Sequence, residues 1–256
     1  MDHRKNKFGI IIPKKATKSY QNFASEIQHS ELFMQIFLIG ANYVNREDAR
    51  KAMIEIHNDP KNEVSKELID YFKSQASDEI FNILTYEQFY CQMCFARIVD
   101  NLLSYFKEIL GEVIIKQPQI LKSKETERLD FILDFDTIDE LRIAIAEKKI
   151  EALFYAGFDT IESFFSDRLG LGMFKSKNEQ LEFLQTIKSR NVIVHNRGRI
   201  NKEYYKEFPD PELQEGDYLG FTYADISKMS GFLLNFVAEL DHKIASKFSL
   251  NLEDND

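Results

Sequence analysis

From Thr85 to Gln117 the chain carries one helical pattern unbroken by proline. Thr85-x-x-Gln88 has capping-box spacing, in which each side chain satisfies a backbone N–H at a helix start. Phe89, Met93, Ala96, Val99, Leu102/Leu103 and Phe106 follow at helical spacing and make an apolar stripe. Pro118 lies just past the end, where the ring's missing N–H does no harm. A stripe of this length is stable only when covered, and the rest of the chain supplies more helices. Only 10 Gly and 5 Pro occur in 256 residues, so breakers are scarce. Thr137-x-x-Glu140 opens a helix through Phe154 that Gly157 closes. Asp159-x-x-Glu162 opens another, ending near Gly170 or Gly172. Ser176 with Glu179 starts a third. A short helix near 201–208, an acidic loop from Pro209 to Gly216 and a closing helix from Thr222 to Phe248 complete the pattern. Residues 119–136 read as a linker. Helices with short links predict an all-α, up-down helical bundle over 79–250.

The first 78 residues read as a helical N-terminal extension, regulatory or partner-binding. It begins with a basic arm broken by Pro13, where Phe8 to Ile12 form one short strand or pack as an arm. One or two helices span 22–57, with a kink at Gly40. Asp59-Pro60 is a turn, and 61–76 is a further helix. His29 and His57 have no evident partner and read as structural or surface residues. Residues 251–256 form an acidic tail, expected to fray.

The most informative helix starts at Ser176. Its apolar positions are Leu181, Phe183, Leu184, Ile187 and Ile193/Val194, and Gly198 is the expected stop. Arg190, Asn191 and His195 fall in its last two turns. Asn191 and His195 are four apart and share a face. Arg190 and His195 are five apart, so their directions differ by roughly 140° around the axis. One helix therefore presents an open cluster that a partner surface must complete. In the plainer reading His195 is a cation placed on a helix C-terminus, with Asn196 and Gly198 as its cap.

Charge reverses around this helix end. Thr186 to Lys206 holds six basic residues (Lys188, Arg190, Arg197, Arg199, Lys202, Lys206) against Glu203, in a chain of net charge −9. The overall acidity excludes a protein coated in nonspecific nucleic-acid affinity, whereas a local patch of this kind can steer a phosphodiester backbone. Tyr204 and Tyr205 stand beside it, either to stack on an unpaired base or as packed tyrosines. Cys91-x-x-Cys94 has no second ligand pair, so it reads as two small apolar helix residues rather than a zinc site. No cofactor or metal is expected. The apolar run from Met34 to Ala41 is too short to span a membrane, and the basic N-terminus lacks a signal peptide's apolar region. A cytoplasmic protein with no membrane partner is expected.

Arg190-Asn191-x-x-x-His195-Asn196, followed by Gly198, resembles the R-N-x-x-x-H-N signature of the HEPN superfamily. Ala96-Arg97-Ile98-Val99-Asp100-Asn101 likewise resembles the first helix of its bacterial defence-type members. The resemblance covers roughly 79–250. It implies a HEPN-like bundle acting as a homodimer through the motif helix, and a metal-independent endoribonuclease, a toxin or anti-phage effector working with an antitoxin or sensor protein. It implies His195 as general acid/base, Arg190 as phosphate clamp and Asn191 as orienter. Asn196, Arg197, Arg199, Lys188, Lys202, Tyr204 and Tyr205 would hold RNA. HEPN-like bundles also serve as noncatalytic dimerisation or nucleotide-binding modules, which is the alternative. His195 and Arg190, near a helix end, are both expected to tolerate alanine with little loss of stability.

Overall fold

A computed structural model describes residues 3–5, 9–43, 87–123 and 126–255. Thr85, the turn at Asp59-Pro60, His57 and the predicted helix over 61–76 lie outside the described residues. The described chain is mostly helical, as the pattern requires. Short strands β1 (His3–Lys5), β2 (Ile11–Pro13) and β3 (Lys15–Ala16) precede helices α1 (Lys18–Tyr43) and α2 (Glu87–Lys116). Then come α3 (Leu129–Leu133), α4 (Ile138–Tyr155), α5 (Phe158–Asp167), α6 (Lys177–Asn196), α7 (Lys202–Glu207), α8 (Tyr223–Phe248) and β4 (Glu253–Asp254). The chain forms two compact units, one of 1–27, 98–190 and 228–256, the other of 28–97 and 191–227.

In the first unit α1 and α2 run antiparallel. Ser19 Oγ donates to Glu112 at 2.5 Å, Asn22 Nδ2 to Glu108 at 2.9 Å, and Asn101 Nδ2 to the Phe23 carbonyl at 2.9 Å. The core centres on Phe106, fully buried, whose ring meets Phe158 at 6.1 Å, Phe165 at 5.8 Å and Phe183 at 6.2 Å between centroids. These edge contacts set the positive ring rim against a neighbour's negative face, worth about 0.5–1.5 kcal/mol each beyond burial. Phe106 against Phe183 also fixes the motif helix α6 on α2.

The chain ends meet in this unit. β1 pairs with β2, and β3 pairs antiparallel with β4, Lys15 opposite Asp254. Asn255 donates from its backbone to the Lys14 carbonyl at 2.9 Å and from its side chain to Pro13 at 3.0 Å. The acidic tail expected to fray is thus held by the basic arm, a partner too distant in sequence for local pattern to reveal. Beside this junction Asp241 is buried. It accepts from Thr17 N at 3.2 Å, Thr17 Oγ1 at 2.5 Å and Tyr105 Oη at 3.3 Å. Burial outweighs those hydrogen bonds and pushes its carboxyl up to about 6.

Two further expectations change. Residues 119–136 are not a plain linker: a 3-10 turn (Pro118–Leu121) and α3 lie within them. The capping box of Thr137 and Glu140 forms as read. Gly157, at φ 99°, closes α4 as read, its N–H donating to the Phe154 carbonyl at 3.3 Å, and it is also the N-cap of α5, so Asp159 sits inside the first turn and does not open the helix. The residue before Phe158 needs the left-handed region there, which glycine enters without a Cβ clash.

The second unit packs Val192, Ile200, Tyr204 and Leu219 together, with Phe208, Leu213 and Phe221 against them. Phe37 stacks on Tyr90 at 3.8 Å and Phe95 on Phe221 at 4.3 Å. The buried face of α2 here carries Cys91, Gln92, Cys94 and Phe95, while Phe89 and Met93 of the expected stripe are exposed. From Val99 on the expected stripe is buried, with Val99, Leu102 and Phe106 all at 0% exposure; only its first turns, at Phe89 and Met93, face out. Both cysteines are free thiols. Burial pushes Cys91 up to about 11, so it is an inert thiol at neutral pH. No helix among the described residues is long and apolar enough to cross a membrane.

Candidate functional site

The motif helix α6 begins as its sequence directs. Ser176 Oγ accepts from Glu179 N at 3.2 Å, and Glu179 reaches back to the backbone N–H of Lys175 at 2.6 Å. It ends at Asn196. Arg197 (φ 54°) and Gly198 (φ 74°) both turn left-handed, and Gly198 N donates to the carbonyls of Val192 and Ile193 at 3.1 and 3.2 Å. Glycine is required at 198 twice over. A Cβ would come within 2.5 Å of the Gln92 side-chain amide, whose Nε2 donates to the Leu219 carbonyl at 2.9 Å. The Gly198 carbonyl in turn accepts from Leu219 N at 2.8 Å. The loop before α8 thereby anchors the helix end.

On this scaffold the candidate residues have distinct settings. His195 is exposed and Asn191 half-buried. Arg190 is half-buried in the first unit and ion-paired: Nε and Nη2 reach the same Asp100 carboxylate oxygen at 2.8 and 2.7 Å. One edge of the guanidinium is thus fixed by α2. Asp100 is a site residue that sequence reasoning missed. It stands ninety positions away, and nothing in the spacing pairs it with Arg190. Val192 is 3% exposed and Val194 46%, so the buried edge of the helix end runs through Val192, which the expected stripe omitted.

The surrounding basic and aromatic residues divide. Tyr204 is buried in the Val192 cluster, so its ring is core and not a stacking platform; Tyr205 is 37% exposed. The plainer reading of that pair holds for Tyr204. Arg199 lies over the Tyr218 ring at 4.2 Å and donates to the Gly216 carbonyl at 3.0 Å, which commits it to its own loop. Asn196 is half-buried and its carbonyl accepts from Arg199 N at 3.0 Å, a capping role. Lys188 is half-buried, whereas Arg197, Lys202 and Lys206 are exposed. Asn201 caps α7 by accepting from Tyr204 N at 2.8 Å, which turns Lys202 and Lys206 to the surface on one short helix. Among the described residues no three His, Cys, Asp or Glu side chains form a set that could hold a metal.

Chemically, the helix end offers an exposed imidazole, an amide one turn before it and surface cations just beyond. Imidazole can take or give a proton near neutral pH. A guanidinium can hold a phosphate oxygen pair bidentately. No protein-family model, curated protein or solved structure matches this chain.

Proposed function

We propose that the chain is a metal-independent endoribonuclease of the HEPN type, a toxin or anti-phage effector that cleaves RNA by attack of its own 2′-hydroxyl. The observation that carries this reading is Arg190-Asn191-x-x-x-His195-Asn196 in the last two turns of one helix, closed at Gly198, with His195 exposed. In this reading His195 moves the proton, and Arg190 stabilises charge on the pentacoordinate phosphorus. Asn191 orients the imidazole or a phosphate oxygen. Arg197, Lys202 and Lys206 steer the backbone, and Tyr205 remains available for stacking. One helix leaves the cluster open, so two chains meet through their motif helices, and an antitoxin or sensor protein restrains the nuclease.

The test is cleavage of a single-stranded or looped RNA in EDTA by wild type and His195→Ala. Wild type cleaves and leaves a 2′,3′-cyclic phosphate or its hydrolysis product; His195→Ala does not. Cleavage that needs added magnesium, or equal cleavage of DNA, which has no 2′-hydroxyl, overturns the reading. A second reading has one observation in its favour, the engagement of Arg190 by Asp100. A guanidinium so held also suits a noncatalytic dimerisation or nucleotide-binding module, and RNA binding without cleavage selects that module.

A further inference from the structure

The two chain ends that meet in the first unit are opposite in charge and unequal in how they are held. Residues 3–5 and 9–18 carry five basic side chains (Arg4, Lys5, Lys14, Lys15, Lys18) and no acidic one, in a chain of net charge −9. Residues 252–255 carry Glu253 and Asp254 and no basic one. The arm is fixed to α8. Asn235 accepts from Ile11 N at 2.7 Å and donates to the Gly9 carbonyl at 3.4 Å, and Asp241 holds Thr17. Ile11, Ala16 and Thr17 are buried there, whereas Lys5, Lys14, Lys15 and Lys18 are exposed. The tail is held more lightly. Its contacts are the two-residue pairing of β4 with β3, the Lys15–Asp254 pair at 3.4 Å, Gln21 Nε2 donating to the Asp254 carbonyl at 3.0 Å, and Asn255 on Lys14 and Pro13. Both side chains of the ion pair are more than half exposed, where such a pair contributes little and weakens with salt. A two-stranded ribbon is likewise marginal in water.

We propose that the basic arm is a contact for an RNA backbone and that the acidic β4 segment is its built-in competitor, which the RNA displaces. Asp254 engages Lys15 with one carboxylate, as a phosphate would. A strand that spans several lysines releases a counterion at each phosphate it places, a gain that a single carboxylate lacks. The fixed half of the junction is the basic one, so displacement of the tail leaves Thr17 and Ile11 on α8. The arm has little to insert into a lipid surface, because Ile11 and Pro13 are buried, Ile10 is half-buried and Ile12 is 41% exposed. The choice of RNA rests on the ribonuclease reading, and binding rather than cleavage is therefore measured.

The probe is a fluorescent single-stranded RNA of about 20 nucleotides, longer than the roughly 4–16 that one binding groove covers. Anisotropy is read with the full chain carrying His195→Ala, so that cleavage does not enter. Glu253→Gln with Asp254→Asn keeps the backbone pairing and is expected to tighten binding at least about threefold. Lys14→Gln with Lys15→Gln and, separately, Lys5→Gln with Lys18→Gln are each expected to weaken it at least about fivefold. Each pair should also make the slope of log affinity against log salt shallower by about 1.4, since a phosphate contact on a single strand contributes roughly 0.7. The Lys5 and Lys18 pair lies outside β3 and β4 and keeps the test decisive if the other pair loosens the junction. Asp134→Asn with Asp136→Asn, exposed acids of the same unit, should change affinity less than about twofold. An equal gain there overturns the competitor, because net charge is then the cause. Arm variants that bind as the parent does, no gain from the tail variant, or poly-glutamate bound as tightly as RNA each overturn the proposal. So does tighter arm-dependent binding to vesicles of phosphatidylserine and phosphatidylcholine. The expected changes alongside a wild-type chain that does not cleave uphold this inference and overturn the ribonuclease reading; cleavage with arm variants unchanged does the reverse.

Discussion

His195 and Arg190 were expected to behave alike on replacement, and their settings now separate them. His195 is exposed, so His195→Ala should leave stability within about ±0.5 kcal/mol. If the imidazole is the general acid/base, cleavage should fall roughly 100- to 10,000-fold in the same variant. Thermal melting and an RNA cleavage assay on one preparation check both halves; an unfolded variant would make His195 a packing residue. Arg190→Ala differs because it strands Asp100. The carboxylate keeps water on its open side, so the expected loss is about 1 kcal/mol after that exposure is discounted. Asp100→Asn keeps the shape and removes the charge. A double-mutant cycle of the two in thermal melts should return a coupling of similar size, and zero coupling would mean the pair contributes nothing to the fold.

The helix α6 is where residue chemistry becomes element behaviour. Its buried edge runs through Val192, so Val192→Ala should cost about 2 kcal/mol, two lost methyl groups plus a cavity. Val194→Ala should change stability by no more than about 0.5 kcal/mol. Chemical denaturation of the two single variants distinguishes them, and equal losses would mean the helix end is not packed as described. Gly198→Ala acts on the end of the same element. It places a Cβ in the left-handed region, at a cost of about 1–2 kcal/mol, and forces Gln92 off the Leu219 carbonyl. A melting temperature unchanged by Gly198→Ala would contradict that geometry.

At the scale of the whole chain, Thr17 and Asp241 tie the first residues to the last helix. The Asp241 carboxyl has an ordinary value of 3.8 and is raised to about 6 in the fold, because burial disfavours its charge more than Thr17 and Tyr105 stabilise it; the nearby Glu112 charge adds to the rise. The folded chain therefore holds this proton more tightly than the unfolded chain. The contribution to stability is fully present below about pH 4 and is lost as pH rises through about 6. Denaturation between those limits, compared with Asp241→Asn, should show this slope in wild type and its loss in the variant. A slope retained by the variant would assign it to other groups. Light scattering at micromolar concentration addresses the proposed dimer, whose absence in a fully active nuclease would remove the need for two motif helices.

Helix type and most helix boundaries were legible in the sequence, since capping and periodicity are local. Ser176 with Glu179, Thr137 with Glu140 and the stop at Gly198 act within a few residues of themselves. The cluster of Arg190, Asn191 and His195 at one helix end was legible for the same reason. What local pattern could not supply is which side of the first turns of α2 is buried, whereas Val99, Leu102 and Phe106 of the expected stripe are core. Phe89 and Met93 lost to Cys91 and Phe95 because neighbouring elements chose the face. Nor could spacing foresee that Asp100 holds Arg190, that Tyr204 is core, or that the acidic tail pairs with the basic arm. Each joins residues far apart along the chain, and the hydrophobic effect that brings them together is non-directional. Its outcome exists only once the helices have packed.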